Sequence, residues 1–141
     1  MIRNVMLGEE LVITTINKVG LLADISVMLA NEGINVEAAV GYEIGRMAKL
    51  MLVTNANLKI VDQLKKKRYK SVKEAEVLLI EIENKPGALK VVTTELKANK
   101  IDLKHLYVTT SAGGWSRMVV QTSDNETAMA VLNKFAETAA K

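Results

Sequence analysis

A chain of 141 residues that is 49% apolar and 25% charged, with the two signs interspersed and no low-complexity tract, has the composition of a folded domain and not of a disordered one. The absence of cysteine excludes a disulfide framework, a thiolate metal site and a Cys nucleophile. No stretch reaches the roughly 18 consecutive apolar residues of a membrane span, and Glu9 and Glu10 fall where a signal peptide needs an apolar centre, so a cytoplasmic location is expected, without a membrane. The net charge of +3 comes mainly from Lys65, Lys66, Lys67, Arg68, Lys70 and Lys73 near the end of one predicted helix, where cations complement the helix dipole; it reads as a solvated helix end, and no nucleic acid is expected.

In chain order, "MIRNVM" predicts a short strand, and "LVITTIN", rich in β-branched residues, a second. A helix follows over "LLADISVMLANEG", with Leu22, Ile25 and Leu29 at helical spacing and a stop at Asn31 to Gly33. Two strands joined by "EIGR" predict a hairpin, and "NLKIVDQLKKK" an amphipathic helix with Asn55 or Asn57 as its N-cap. "YKSVKE" and then "VLLIEIEN" read as strands. A second helix carries Leu89, Val92 and Leu96 and ends at "ANK"; a second hairpin turns at "SAGG"; and "NETAMAVLNKFAETAAK" predicts a last helix, capped by Asp124 or Asn125.

These elements repeat. Shifted by 67 positions, Glu9 to Ile13 falls on Glu76 to Ile80, Asn17-Lys18 on Asn84-Lys85, Gly20 on Gly87, Leu22 on Leu89, and Ile34-Asn35-Val36 on Ile101-Asp102-Leu103. After one inserted residue in a turn, Lys49 to Thr54 lies over Arg117 to Thr122. The order in each copy is βαββα, one strand short of the ferredoxin-like βαββαβ unit, and residues 68–74 supply that strand to the first copy. The same shift lays Ile2 to Val5 over Tyr69 to Val72, so residues 1–7 are predicted to complete the second copy as an exchanged edge strand. The expected architecture is α+β, with two ferredoxin-like domains in tandem, residues 8–74 and 75–141, the second completed by residues 1–7.

The corner between first strand and first helix carries the chemistry. In "ENKPGAL", Pro86 fixes its own φ and keeps Lys85 out of helical geometry, and Gly87 allows a tight turn with no Cβ in the way. The next N–H groups, of Gly87, Ala88 and Leu89, belong to a first helical turn, lack intrahelical partners and favour a carboxylate. "INKVGLL" repeats the corner with Asn17, Gly20, Leu21 and Leu22, but has Val19 in place of the proline. Each copy also places an amide or a carboxylate, Asn35 or Asp102, just after the first helix. Asp102 accepts from an α-ammonium but repels a carboxylate, whereas Asn35 does both jobs, so the two sites should differ.

Asn17 with Gly20 and Leu22, Asn84 with Gly87 and Leu89, and the "Gly-Ile-Asn-Val" signature resemble the ACT domain, the small βαββαβ regulatory module of amino-acid metabolism, over nearly the whole chain. The resemblance implies a stand-alone tandem regulatory protein that binds a free amino acid at an interface between modules. Asn17, Val19, Gly20, Leu21, Leu22 and Asn35 would serve the first copy, and Asn84, Pro86, Gly87, Ala88, Leu89 and Asp102 the second. It further implies a regulated enzyme as partner; exposed hairpin edges add the expectation of a homodimer.

Other chemistry finds little footing. His105 stands alone without clustered carboxylates, and reads as structural. Trp115, Tyr107 and Tyr42 lie on or beside the hairpin strands and read as packing or partner contacts. There is no Gly-x-Ser-x-Gly, no phosphate loop and no cleft-like carboxylate pair, so no enzyme, cofactor or metal is expected. The competing readings are a ligand-free protein–protein interaction module and, behind it, a single-stranded RNA binder lacking the expected strand aromatics.

Overall fold

The structure, a computed structural model, describes residues 1–110 and 113–136. The strands are β1 (Ile2–Ile16), β2 (Val36–Ile44), β3 (Met47–Thr54), β4 (Ser71–Glu83), β5 (Leu103–Thr110) and β6 (Trp115–Thr122); the helices are α1 (Leu21–Asn31), α2 (Asn57–Lys66), α3 (Ala88–Ala98) and α4 (Asn125–Asn133). Two units emerge: an N unit, Glu9–Ala75, and a C unit, made of Met1–Gly8 and the chain from Glu76 onward. Neighbouring strands run β2-β3-β1-β4 in the N unit and β5-β6-β4-β1 in the C unit, the ferredoxin-like order in both.

The strands predicted separately on either side of residue 8 are one strand, β1, and those on either side of residue 75 are one strand, β4. No proline or positive-φ glycine interrupts either run; Asn4, at φ 56°, is a left-handed residue within β1, and the strand continues past it. Each strand serves one unit with one half and the other unit with the other. Residues 2–8 complete the C unit: Ile2 and Val5 are buried with Leu78, Ile80, Val92, Leu96, Met118 and Leu132. Tyr69 and Val72, at the β4 end of the N unit, pack on a core of Leu11, Ile13, Leu21, Ile25, Leu29, Leu50, Leu52, Ile60 and Leu64. Each fully buried aliphatic side chain contributes about 1.5–3 kcal/mol. Gly8 fits its position because a Cβ there would stand 2.6 Å from Cδ1 of Leu79.

The expected helical stripes hold at Ile25, Leu29, Val92 and Leu96, but the first member of each differs by one residue. The buried stripe of α1 is Leu21, Ile25 and Leu29, and that of α3 is Ala88, Val92 and Leu96. Leu22 and Leu89, expected in those stripes, are 51% and 46% exposed. A stripe at i, i+4, i+8 turns the residue after Gly20 or Gly87 inward and the next one outward.

The α2 N-cap is Ala56, not Asn55 or Asn57. Asn57 instead turns back: its Oδ1 accepts from Thr54 N at 3.2 Å and from Thr54 Oγ1, and its Nδ2 donates to Glu9 O at 2.9 Å. Asn125 repeats this staple on Thr122 and Glu76. Asp124 is the N-cap of α4, accepting from Thr127 N at 3.1 Å. In the predicted "SAGG" turn, Ser111 and Ala112 lie outside the described residues, as do the final five positions of the predicted last helix.

Candidate ligand-binding site

At the first corner β1 ends at Ile16, opposite Met47, and Asn17 N donates to Arg46 O at 2.8 Å. Gly20 adopts φ 87°, ψ 1°, the left-handed conformation that glycine tolerates without a Cβ penalty, and α1 begins at the next residue. The first intrahelical bond runs from Asp24 N to Gly20 O at 2.9 Å, and Leu21 N reaches Lys18 O only at 3.3 Å. No side chain caps this end, so among the described residues the N–H groups of Leu22 and Ala23 have neither a main-chain nor a side-chain acceptor. Bare amides at the positive end of a helix attract an anion.

Beside these amides is a recess of about 450 Å³ lined by Asn17, Lys18 and Gly20 to Ala23 on one side and by Gly41, Tyr42, Glu43, Ala48 and Leu50 on the other. Leu21, Ala48 and Leu50 form its apolar floor. The hairpin brings Glu43 to the corner, since Ile44, Met47 and Ile16 stand side by side across β2, β3 and β1. Asn17 Nδ2 donates to Glu43 Oε2 at 2.6 Å, which fixes the carboxylate and leaves Asn17 Oδ1 as a further acceptor. Gly41 keeps the recess open: a Cβ there would come within 2.6 Å of Leu50 Cδ2. The recess thus offers anion-seeking amides and a cation-seeking carboxylate, the two needs of a zwitterion.

The second corner shares the backbone but not the pocket. Asn84 N donates to Gly114 O at 2.9 Å, Gly87 adopts φ 90°, ψ −13°, and again no side chain caps the helix. By strand register, however, Val108 stands opposite Met118 where Gly41 stands opposite Leu50, and Thr110 stands opposite Ser116 where Glu43 stands opposite Ala48. Thr110 Oγ1 and Ser116 Oγ lie 3.3 Å apart, engaged with each other. Met1 Cε lies 3.6 Å from where a Cβ on Gly87 would be. The nearest sequence carboxylate, Glu83, pairs with Lys85 at 3.1 Å, and that hydrogen bond holds its pKa below the ordinary carboxylate value.

Asn35 and Asp102 are pinned by their backbones at the far ends of the strands. Asn35 N donates to Asn55 Oδ1 at 3.0 Å and Asn35 O accepts from Asn55 N at 3.2 Å; Asp102 makes the same pair of bonds with Ser123, both at 2.9 Å. Val36 stands opposite Thr54 while the corner follows the level of Met47, so the length of β3 separates them, roughly 23 Å at 3.3 Å per residue. Within the N unit, then, Asn17, Gly20, Leu21 and Leu22 come together, whereas Asn35 does not join them and Val19 points fully into solvent. In the C unit Asn84, Pro86, Gly87, Ala88 and Leu89 form the corner, and exposed Asp102 lies beside Lys104 at 3.8 Å. Sequence reasoning missed Glu43 and Gly41; pairing the hairpin about "EIGR" against the first strand would have put both beside Asn17.

Among the described residues no group of His, Asp and Glu could hold a metal ion, and no helix is long and apolar enough to cross a membrane. His105 stacks on Tyr107 with ring centroids 6.1 Å apart, and Trp115 lies under the Arg3 guanidinium at 4.0 Å, so both are part of the packing of the C unit.

Comparison with protein-family models finds no match, and no curated protein is significantly similar. Solved structures are similar over nearly the full chain. Protein BT0572 from Bacteroides thetaiotaomicron is 26% identical with a TM-score of 0.85, covering 93% of this chain and 90% of that one. The ligand-free regulatory subunit of aspartate kinase from Thermus thermophilus is 14% identical with a TM-score of 0.63, covering 97% and 100%. The corresponding subunit from Thermus flavus is 12% identical with a TM-score of 0.60, covering 94% and 97%. The fold is shared with these regulatory subunits.

Proposed function

We propose that this chain, two ACT-type units in tandem, is a regulatory protein whose first strand-to-helix corner binds a free amino acid. The observation that carries the reading is Glu43, held by Asn17 at 2.6 Å on the rim of the recess into which the uncapped α1 terminus opens. The ligand carboxylate accepts from the amides of Leu22 and Ala23. Its α-ammonium donates to Glu43 and to Asn17 Oδ1, and its side chain rests on Leu21, Ala48 and Leu50. The fold shared with regulatory subunits supports a regulatory role and not a catalytic one.

Asn35 reaches such a ligand only from another module, so a homodimer in which a second copy covers the recess is part of the reading, as is an enzyme that the dimer regulates. Binding acts as a signal to the extent that the ligand prefers one arrangement of modules over another. The second corner, with Val108 and Thr110 in place of Gly41 and Glu43, is the weaker site.

The test is a thermal-shift and calorimetric screen of the twenty amino acids. A ligand at 100 times its Kd should add about 2.7 kcal/mol of stability. Glu43→Gln should abolish the response while leaving the melting point of the free protein nearly unchanged, and the matching 2-hydroxy acid, which lacks the ammonium, should fail to bind the native protein. No response to any amino acid would instead favour a ligand-free interaction module.

A further inference from the structure

The basic run ending α2 is only partly explained by the helix dipole. Lys65 and Lys66 lie in the last helical turn, where their charge is favourable, but the backbone leaves the helix at Lys67 with φ −75°, ψ 152°. Lys67 and Arg68 therefore lie past the helix, in the turn that leads toward β4, and both line a second recess of the N unit, about 710 Å³ in volume. Its other wall is α1, where Leu21, Asp24, Met28 and Asn31 follow one another at helical spacing, and the end of β1 at Thr15 and Ile16.

Charge and polarity are unbalanced there. Three cations, Lys18, Lys67 and Arg68, face one carboxylate, Asp24, which Lys18 already approaches at 3.6 Å. Among the described residues the side chains of Lys67 and Arg68 have no ion-pair or hydrogen-bond partner; Lys67 is engaged only through its backbone N–H, which donates to Leu64 O at 3.1 Å. Between these cations lies apolar surface left to water: Ile16 is 67% exposed and Val27 58%. Tyr69 adds a phenol whose pKa is raised by burial and by the charge of Asp24, so it remains an O–H donor at neutral pH. The volume suits a small molecule; pockets of roughly 300–1,000 Å³ hold drug-sized ligands.

We propose that this recess is a second binding site, adjoining the amino-acid corner with which it shares Lys18 and Leu21, for a small organic anion: a phosphate, sulfonate or carboxylate on an aromatic or branched hydrocarbon body. The anion is taken by Lys67 and Arg68, with Tyr69 as donor, and the body lies on Ile16, Val27 and Met28. Neither half suffices, because inorganic anions leave the apolar wall wet and neutral hydrocarbons leave the cations unmatched.

Titration of the full chain with phenyl phosphate, followed by amide chemical shifts, tests this. Saturable shifts are expected at Val27, Met28 and Tyr69, with an affinity at least about tenfold better than for inorganic phosphate or benzyl alcohol, a tenfold ratio being what one well-placed charge-assisted contact supplies. The Lys67→Gln/Arg68→Gln pair should weaken binding by about tenfold or more. Val27→Asp, which sets a carboxylate on the exposed wall, should do the same, with the rest of each spectrum unchanged as the control for folding. Equal, weak binding of phenyl phosphate and inorganic phosphate would overturn the proposal, as would full affinity in the double variant. Tighter binding of an acidic peptide than of phenyl phosphate would overturn it in favour of a protein partner. The amino-acid response should persist in the double variant, so failure of either site is seen independently of the other.

Discussion

Replacing Ile2 by alanine should destabilise the C unit selectively, although residue 2 is joined in sequence to the N unit. Ile2 is fully buried among Leu78, Ile80, Met118 and Leu132, and its backbone bridges to Ala136. Truncation to Ala removes three carbons, about 2.4 kcal/mol at 0.8 kcal/mol per buried group, and the cavity left behind adds to that. Large-to-Ala changes in cores span about 2–5 kcal/mol. Residues 1–8 form an edge segment able to close partly over the gap, which places the expected loss near 3 kcal/mol. The sole tryptophan, Trp115, lies in the C unit, so urea unfolding followed by its fluorescence reads this unit alone. With a denaturant slope of about 1–1.5 kcal/mol per molar for so small a unit, the midpoint should fall by about 2 M or more. Met6→Ala, at a side chain 55% exposed on the same segment, is the control and should shift stability by less than about 0.5 kcal/mol. If Ile2→Ala moves the Trp115 transition no further than Met6→Ala does, the exchanged-strand account of the C unit is wrong.

Other perturbations probe the corner, the staples and the seam of carboxylates. Gly20→Ala meets no atom within 4 Å, so its cost is the left-handed backbone at φ 87° alone: about 1–2 kcal/mol, less about 0.4–1 kcal/mol from the stiffer unfolded chain. A net loss near 1 kcal/mol in the N unit is expected in chemical denaturation, and a gain would contradict the assigned conformation. Asn125→Ala removes the acceptor for Thr122 N and Oγ1 and the donor to Glu76 O. It should cost about 2 kcal/mol in chemical denaturation. The Glu74 carboxyl is held above its ordinary value, first by a hydrogen bond shared with Glu9, then by burial and by the Glu9 charge. A carboxyl with a raised folded-state pKa is penalised when ionised in the folded protein; that penalty is complete above the folded pKa and vanishes below the unfolded one. Glu74→Gln should therefore raise the stability at pH 7 by about a few tenths of a kcal/mol, seen as a higher melting point, and lose the advantage as pH falls through the carboxylate range. An advantage that grew on acidification would reverse the sign and refute it.

The fold was legible because it is written twice. A single amphipathic stretch such as Leu22 to Leu29 leaves its first member uncertain by a residue: Ile25, Leu29, Val92 and Leu96 were placed in the buried stripes, but Leu22 and Leu89 were taken for their neighbours Leu21 and Ala88. Registering Ile2 to Val5 on Tyr69 to Val72, by contrast, identified an edge strand from a segment too short to be read alone. The two long strands were not legible, because nothing in local composition distinguishes a strand that ends at residue 8 from one that runs on through Gly8; the close approach of Leu79, which leaves no room for a Cβ there, is a tertiary fact. The Asn57 and Asn125 staples were hidden for a related reason: a helix-start asparagine reads as a cap unless the preceding threonine and the distant strand are already in place.

For the site, the repeat exposed what the copies share and concealed what sets them apart. Both corners carry Asn, Gly and uncapped amides, so comparing them pointed to the backbone, which attracts the anionic end of a ligand and says nothing of the rest. Recognition of a zwitterion needs an acceptor for the ammonium as well, and that group, Glu43, comes from a hairpin position where the other copy has Thr110. The same hairpin places Gly41 over Leu50 but Val108 over Met118, so the first copy keeps its recess while the second adds bulk at the equivalent point. Two matched changes in one strand, one in charge and one in volume, act in the same direction. In the proposed reading a corner that binds must keep both the open recess and the carboxylate, so the difference between the copies at these two positions assigns binding to the first corner and leaves the second only the turn it makes.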